Sequence, residues 1–399
     1  MSEPPAGAAG GIPGGIPEGI PREIEIPFNR PALVGEELRY MREAIAAGRI
    51  SGDGGFTQRC QALLERELDA PRVLLTTSCT HALEMCALLL DLAPGDEVIV
   101  PSFTFVSTVN AFALRGARPV FADVRPDTLN FDESLLPELI GPRTRAIVPV
   151  HYAGVGCDME AILALAGRHG IAVVEDNAHG LFGRRGGRRL GTLGCLATLS
   201  FHETKNVTCG EGGALIVNDP RYLERAEIVW QKGTNRSQFF RGTVDKYSWV
   251  DLGSSYLPSD LLAAFLLAQL EARERIQAAR RRLWERYDRE LAGWAAASGS
   301  RLPVVPPGCE QPYHLFYLLL PSLAARQALI AHLRGRGILA VFHYVPLHLS
   351  PYGRRAAASH RDCPVAADAA DRLVRLPLFY DLSAADQSRV IAAVQSFQP

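Results

Sequence analysis

The chain has 399 residues, 47% hydrophobic and 21% charged, with 42 basic against 43 acidic side chains and a formal net charge of -1. That balance fits one large or two medium globular domains and lacks the basic excess that holds nucleic acid, although a neutral total can hide a local basic pocket for a small anion. The longest apolar runs, such as 261–270, are far too short to cross a bilayer, so neither nucleic acid nor a membrane is expected as a partner.

From Met1 to about Arg22 the chain is rich in Gly and Pro, with no basic start and no continuous apolar core, which reads as a flexible tail over 1–24 and not as a signal peptide. Residues 35–48 and 56–68 have helical periodicity. The rhythm then changes to strands at 73–76, 97–100, 119–123, 146–150 and 172–175, with helices expected at 80–90, 104–114 and 158–168. Alternation of this kind predicts an α/β fold, a largely parallel sheet covered by helices on both faces, with ligands at the carboxyl ends of the strands. Two more strands are expected at 199–202 and 213–217. One long amphipathic helix over 259–297 then leads to a compact C-terminal mixture at 313–320, 324–336, 339–343 and 386–397. The expected organisation is a tail (1–24), a large domain (25–258), and a linking helix with a small domain (259–399). The eight cysteines form no C-x-x-C pair, which predicts neither a metal site nor a disulfide framework, and reduced thiols in the cytoplasm.

Only three lysines, Lys205, Lys232 and Lys246, stand against 39 arginines, and arginine cannot form a Schiff base. Lys205 lies in Ser200-Phe-His-Glu-Thr-Lys-Asn206, 29 residues after Asp176 at the end of a buried strand. A carboxylate to hold a pyridine nitrogen protonated and an amine to hold an aldehyde are what pyridoxal phosphate (PLP) chemistry requires. A GC-rich genome that left three lysines over is the plainer explanation of the count alone. Thr76-Thr-Ser-Cys-Thr-His81 places hydroxyls between a strand and a helix, which suits a phosphate or simple N-capping. Phe105 follows another strand and is a candidate ring-stacking residue; it and Phe103 also fit a core. His179 fits a place beside the ring's 3-oxygen or a structural role. Gly210-Glu-Gly-Gly213, after the lysine, permits close backbone approach.

Together these segments resemble the fold type I PLP-dependent aminotransferases of the DegT/DnrJ/StrS family, over residues 25 to 399. SFHETKN, KGTNRSQFFRGTVDKYSW, GSSYLPSDLLAAFLLAQLEA and AVFHYVPLH are similar to the branch that makes TDP-4-amino-4,6-dideoxyhexoses from TDP-4-oxo-6-deoxy-D-glucose. The resemblance implies a transaminase with L-glutamate as amino donor. Lys205 would be the Schiff-base lysine, and Asp176 the partner of the pyridine nitrogen. His179 and Phe105 would lie at the ring, and Thr80, the His81 backbone and Ser200 at the phosphate. It also implies a homodimer whose neighbour completes each site through 232–241 and 254–257. Ser255-Tyr256-Leu257 stands where many relatives carry Asn-Tyr-Arg, so the cross-subunit phosphate contact would pass to Ser255 or water. Tyr256, Tyr344 and His348 are expected at the sugar, and Lys232 and Arg236 at its diphosphate. A 3-amino sugar product, or PLP-dependent elimination or isomerisation, stays open, as does gluco against galacto configuration at C4.

Overall fold

The computed structural model describes residues 23–399, so all but the last two residues of the expected tail lie outside it. The strands, in chain order, are β1 Arg72–Thr76, β2 Glu97–Pro101, β3 Arg118–Ala122, β4 Thr144–Ile147, β5 Ala172–Asp176, β6 Arg184–Arg185, β7 Arg188–Arg189, β8 Leu196–Ser200, β9 Gly213–Val217, β10 Cys309–Glu310, β11 Phe316–Leu319 and β12 Leu373–Leu376. Seven of them form one sheet in the order β1-β9-β8-β5-β4-β2-β3. β9 runs antiparallel to both its neighbours, and the other pairings are parallel.

The central residues of these strands are apolar and buried because both faces are covered, with charged residues such as Glu97, Arg118 and Asp176 at strand ends. On one face Leu74, Val98, Val100, Val174 and Leu215 pack with α3 (Cys79–Leu89) and α4 (Ser107–Ala113). On the other, Val73, Leu75, Ala197, Leu199 and Ile216 pack with α2 (Gly55–Leu68) and the helix Asp260–Glu271, while α1 (Glu37–Ala46) rides on that helix. Each such aliphatic side chain, fully buried, stabilises the fold by about 1.5–3 kcal/mol. Because the parallel strands point the same way, Thr76, Pro101, Asp176 and Ser200 end on one edge of the sheet.

Several expected boundaries shift for identifiable reasons. α4 begins at Ser107, not 104, because Ser102 N–H still pairs with the Ala122 carbonyl (2.9 Å) and extends the β2–β3 ladder. The single helix expected over 259–297 is two, Asp260–Glu271 and Arg273–Ser298, broken at Ala272. The first is apolar on nearly all sides and belongs to the large sheet. The second is amphipathic and presents Leu283, Trp284, Tyr287 and Leu291 to a separate core with β11, β12 and Ile26. Residues 339–343 form no regular strand, only one bridge between Val341 and Arg375. β12, unforeseen, pairs antiparallel with β11. None of the helices among the described residues is long and apolar enough to cross a membrane.

Candidate active site

A cavity of about 570 Å³ opens at the carboxyl edge of the sheet. Lys205, Asp176, His179, Thr80, Ser200, Phe105 and Tyr344 all line it. Lys205 sits just beyond β8 in a tight turn, where its N–H donates to the His202 carbonyl (2.9 Å). Burial in the cavity wall pulls its amine down to about 8, below the usual lysine value, because the charged form loses its hydration.

Strand alternation separates Glu175 from Asp176. Glu175 points away from the cavity and is fully satisfied: His151 Nε2 lies 2.8 Å from one oxygen, and the N–H groups of Gly191, Leu193 and Gly194 donate at 2.9, 2.6 and 2.7 Å. Burial alone would raise this carboxyl; His151 and the amides outweigh it and hold it low. Asp176 faces the cavity with only Thr108 Oγ1 (2.7 Å) and the Ala178 N–H (3.2 Å) donating to it. Here burial wins and the pKa is raised. Asp176 has no ion-pair partner among the described residues, so a cationic ligand atom would complete its shell.

At the far end of the cavity α3 presents its N-terminus. Ser78 caps it by accepting the His81 N–H (3.1 Å), and Thr80 Oγ1 donates to Ser107 Oγ (2.8 Å). Gly213 makes this approach possible: a Cβ there would overlap Cys79 N and the Ser78 carbonyl. A helix start with converging hydroxyls fits a phosphate. With Asp176 and Lys205 on the same walls, the chain offers PLP a partner for its phosphate, its ring nitrogen and its aldehyde.

His179 and His314 pack at a tilt of 32°, centroids 4.3 Å apart, and His343 stacks on Tyr344 at 3.6 Å. Burial lowers all three imidazoles well below their usual value, so they are neutral. His179 Nδ1 is buried without a hydrogen-bond partner among the described residues. Phe105 is 57% exposed at the rim, whereas Phe103 is core.

Other expected site residues lie elsewhere. His81 is absent from the cavity wall, and its ring contacts Thr77 and Tyr256. Tyr256 is buried beside α3, its carbonyl accepting the Thr77 N–H (3.0 Å). His348 is held by Ser102 Oγ at 2.5 Å, outside the cavity. Lys232, Arg236 and Ser255 are exposed on the segment after the sheet, with Arg236 over the Phe240 ring (5.1 Å).

Sequence reasoning missed Thr108, Cys79, His314, His343 and Arg375, all on the cavity wall. The Thr104/Thr108 spacing, one helical turn, was a usable signal for the first. Arg375 carried none among 39 arginines.

Comparison with known proteins agrees with this geometry. Residues 31–395 match the DegT/DnrJ/EryC1/StrS aminotransferase family. The chain is similar to the aminotransferase TlmJ from Streptoalloteichus hindustanus, at 33% identity over 93% of this chain and 98% of that one, with a TM-score of 0.85. It is also similar to DesV of S. venezuelae, at 33% identity over 93% and 97% with a TM-score of 0.83. Spr1654 of Streptococcus pneumoniae in its PMP form is 26% identical over 93% and 98%, with a TM-score of 0.87. The chain belongs to the DegT/DnrJ/EryC1/StrS aminotransferase family, and its cofactor is PLP.

Proposed function

We propose that the protein transfers the amino group of L-glutamate to C4 of TDP-4-oxo-6-deoxy-D-glucose, giving a TDP-4-amino-4,6-dideoxyhexose and 2-oxoglutarate. The observation that carries this reading is the convergence of Lys205, Asp176 and the capped start of α3 on one cavity. The sugar as acceptor is supported by the segments around Lys205 and 232–271, and by the likeness to Spr1654, provisionally assigned as a sugar aminotransferase.

PLP bound here would supply an electron sink for the carbanion formed when a Cα–H bond breaks. Asp176 would keep the ring nitrogen protonated, a role suited to a buried carboxylate with an open side. Lys205, the amine on the cavity wall, would hold the cofactor's aldehyde and, when free, would be placed to take a proton from the donor's Cα and to deliver one to C4 of the sugar. A depressed pKa suits both tasks, because a neutral amine is available near pH 8. In this reading His179 and Phe105 would serve the ring, Thr80 and Ser200 the phosphate with the backbone at His81 behind them, and Tyr344 the sugar.

Lys232, Arg236 and Ser255 would act, in this reading, in the neighbouring subunit's site, with His348 at its margin; Tyr256, buried beside α3, is not proposed there. A homodimer is supported by the apolar exposure of their segment, with Phe240 69% and Trp249 77% exposed. Free thiols throughout the described residues favour a reducing, cytoplasmic setting.

The test is incubation of purified protein with PLP, L-glutamate and TDP-4-oxo-6-deoxy-D-glucose, reading the product by proton NMR. An amine at C4 is the expected result, and the H3–H4 and H4–H5 couplings give its configuration. An amine at C3, or a sugar without nitrogen, would replace this reaction. Lys205→Arg is expected to fold and give no product; turnover by that variant would sink the assignment.

A further inference from the structure

Arg375 is held on both sides by backbone pairing, to Tyr317 in β11 and to Val341, whose carbonyl accepts its N–H at 2.7 Å. Its side chain enters the cavity wall, the guanidinium 4.6 Å from the Phe28 ring centre. Nη2 donates to the Phe342 carbonyl (3.1 Å), while Nε is cut off from solvent with no acceptor among the described residues. No carboxylate among the described residues forms an ion pair with it. Tyr152 and Tyr344, which lie near it, are kept neutral by burial, and His179 and His343 are neutral as well. A guanidinium does not readily lose its charge, and partly burying it without a counter-ion carries a cost that an anion in the cavity would offset.

We propose that Arg375 receives the α-carboxylate of the amino donor. This rests on the transaminase reading above. The guanidinium and Lys205 share one cavity, and in an α-amino acid the carboxylate is one bond from the carbon that gives up its proton to Lys205. A nucleotide-linked 4-keto sugar instead carries its charge on a diphosphate across the ring from C4, several bonds from the reacting carbon. The planar fork of the guanidinium matches a carboxylate in two parallel hydrogen bonds, with the free Nε as one donor. When the keto sugar enters, the same donors face uncharged hydroxyls, so Arg375 serves the first half-reaction far more than the second.

The experiment follows the half-reaction of PLP holoenzyme with L-glutamate and with a panel of other α-amino acids by cofactor absorbance, in wild type, Arg375→Met and Arg375→Lys. In parallel, calorimetry measures glutarate, as an unreactive dicarboxylate, and TDP. Arg375→Met is expected to raise the half-saturating glutamate concentration and the glutarate Kd roughly a hundredfold, with Arg375→Lys in between. TDP affinity, PLP content and Tm should hold near wild type. Unchanged glutamate and glutarate binding in a folded, PLP-loaded Arg375→Met would overturn the proposal. So would selective loss of TDP binding, which would assign the guanidinium to the diphosphate, or loss of PLP alone, which would assign it to the cofactor. Should Arg375→Met fail to fold, wild-type donor saturation in Arg375→Lys would overturn it equally. Conversion of wild type by another amino acid but not glutamate would sink the donor named above and leave Arg375 to be read on that amino acid; conversion by none would end both.

Discussion

Thr108 Oγ1 donates a 2.7 Å hydrogen bond to Asp176 Oδ2, and Thr104 Oγ1 lies 2.8 Å behind it, so a short hydroxyl relay from the loop before α4 and its first turn supports the buried carboxylate. Burial raises Asp176, and Thr108 is the strongest influence against that rise. Replacing Thr108 with Val keeps the shape and deletes the donor, at a cost of about 1.5–3 kcal/mol to the ionised carboxylate. PLP should dissociate more readily and kcat fall roughly 10- to 100-fold, with Thr108→Ser close to wild type. Wild-type cofactor retention and turnover in Thr108→Val would show that the relay is only structural.

Glu175, one residue earlier, serves the fold. Glu175→Gln leaves His151 without its counter-charge and should cost about 3–5 kcal/mol, measured by denaturant unfolding of the apo-protein. Glu175 is held low, so its contribution is present above the usual carboxylate range and lost as the pH falls through the lowered value. The variant should therefore lose less stability on acidification than wild type. Asp176→Asn, in contrast, should unfold much as wild type while turnover collapses by about a hundredfold or more.

Gly213 lies opposite both Thr76 and Ser200 in the sheet. A methyl group at that position would overlap Cys79 N and push the α3 start away from β9. Gly213→Ala should weaken PLP binding at least tenfold and lower Tm. Equilibrium titration with PLP monitors the first, and an unchanged affinity would remove the α3 start from the phosphate site.

Only the neutral amine of Lys205 can capture an aldehyde. With its value lowered to about 8 by burial, PLP uptake by apo-protein should rise with pH through a midpoint near 8. The folded value lies below the unfolded one, so between pH 8 and the ordinary lysine value near 10.4 the unfolded chain binds more protons and stability rises with pH. Lys205→Met should abolish both trends. A wild-type midpoint near 10 would mean that the amine is solvated.

Much of this was legible before any coordinates. The expected bounds of β9 match to the residue because Gly213-Ala-Leu-Ile-Val217 is a short apolar run preceded by glycines and followed by Asn218-Asp-Pro220, and those of β5 lack only Asp176. Lys205 and Asp176, which the fold brings into one cavity, stand out in the sequence because the chemistry proposed for them admits few other residue types and the chain is so poor in lysine.

The sequence by itself thus determined the alternating order of elements and singled out the two groups proposed to serve PLP, since the first follows from local pattern and the second from functional groups with few substitutes. Tertiary structure decided what depends on residues far apart in the chain. It turned Glu175 toward His151 and Asp176 toward the cavity, broke the helix at Ala272, and brought His314, His343 and Arg375 from the C-terminal core to face Lys205. An arginine among 39 acquires meaning only when its neighbours are known, because burial and the lack of a counter-charge are properties of the packing and not of the residue.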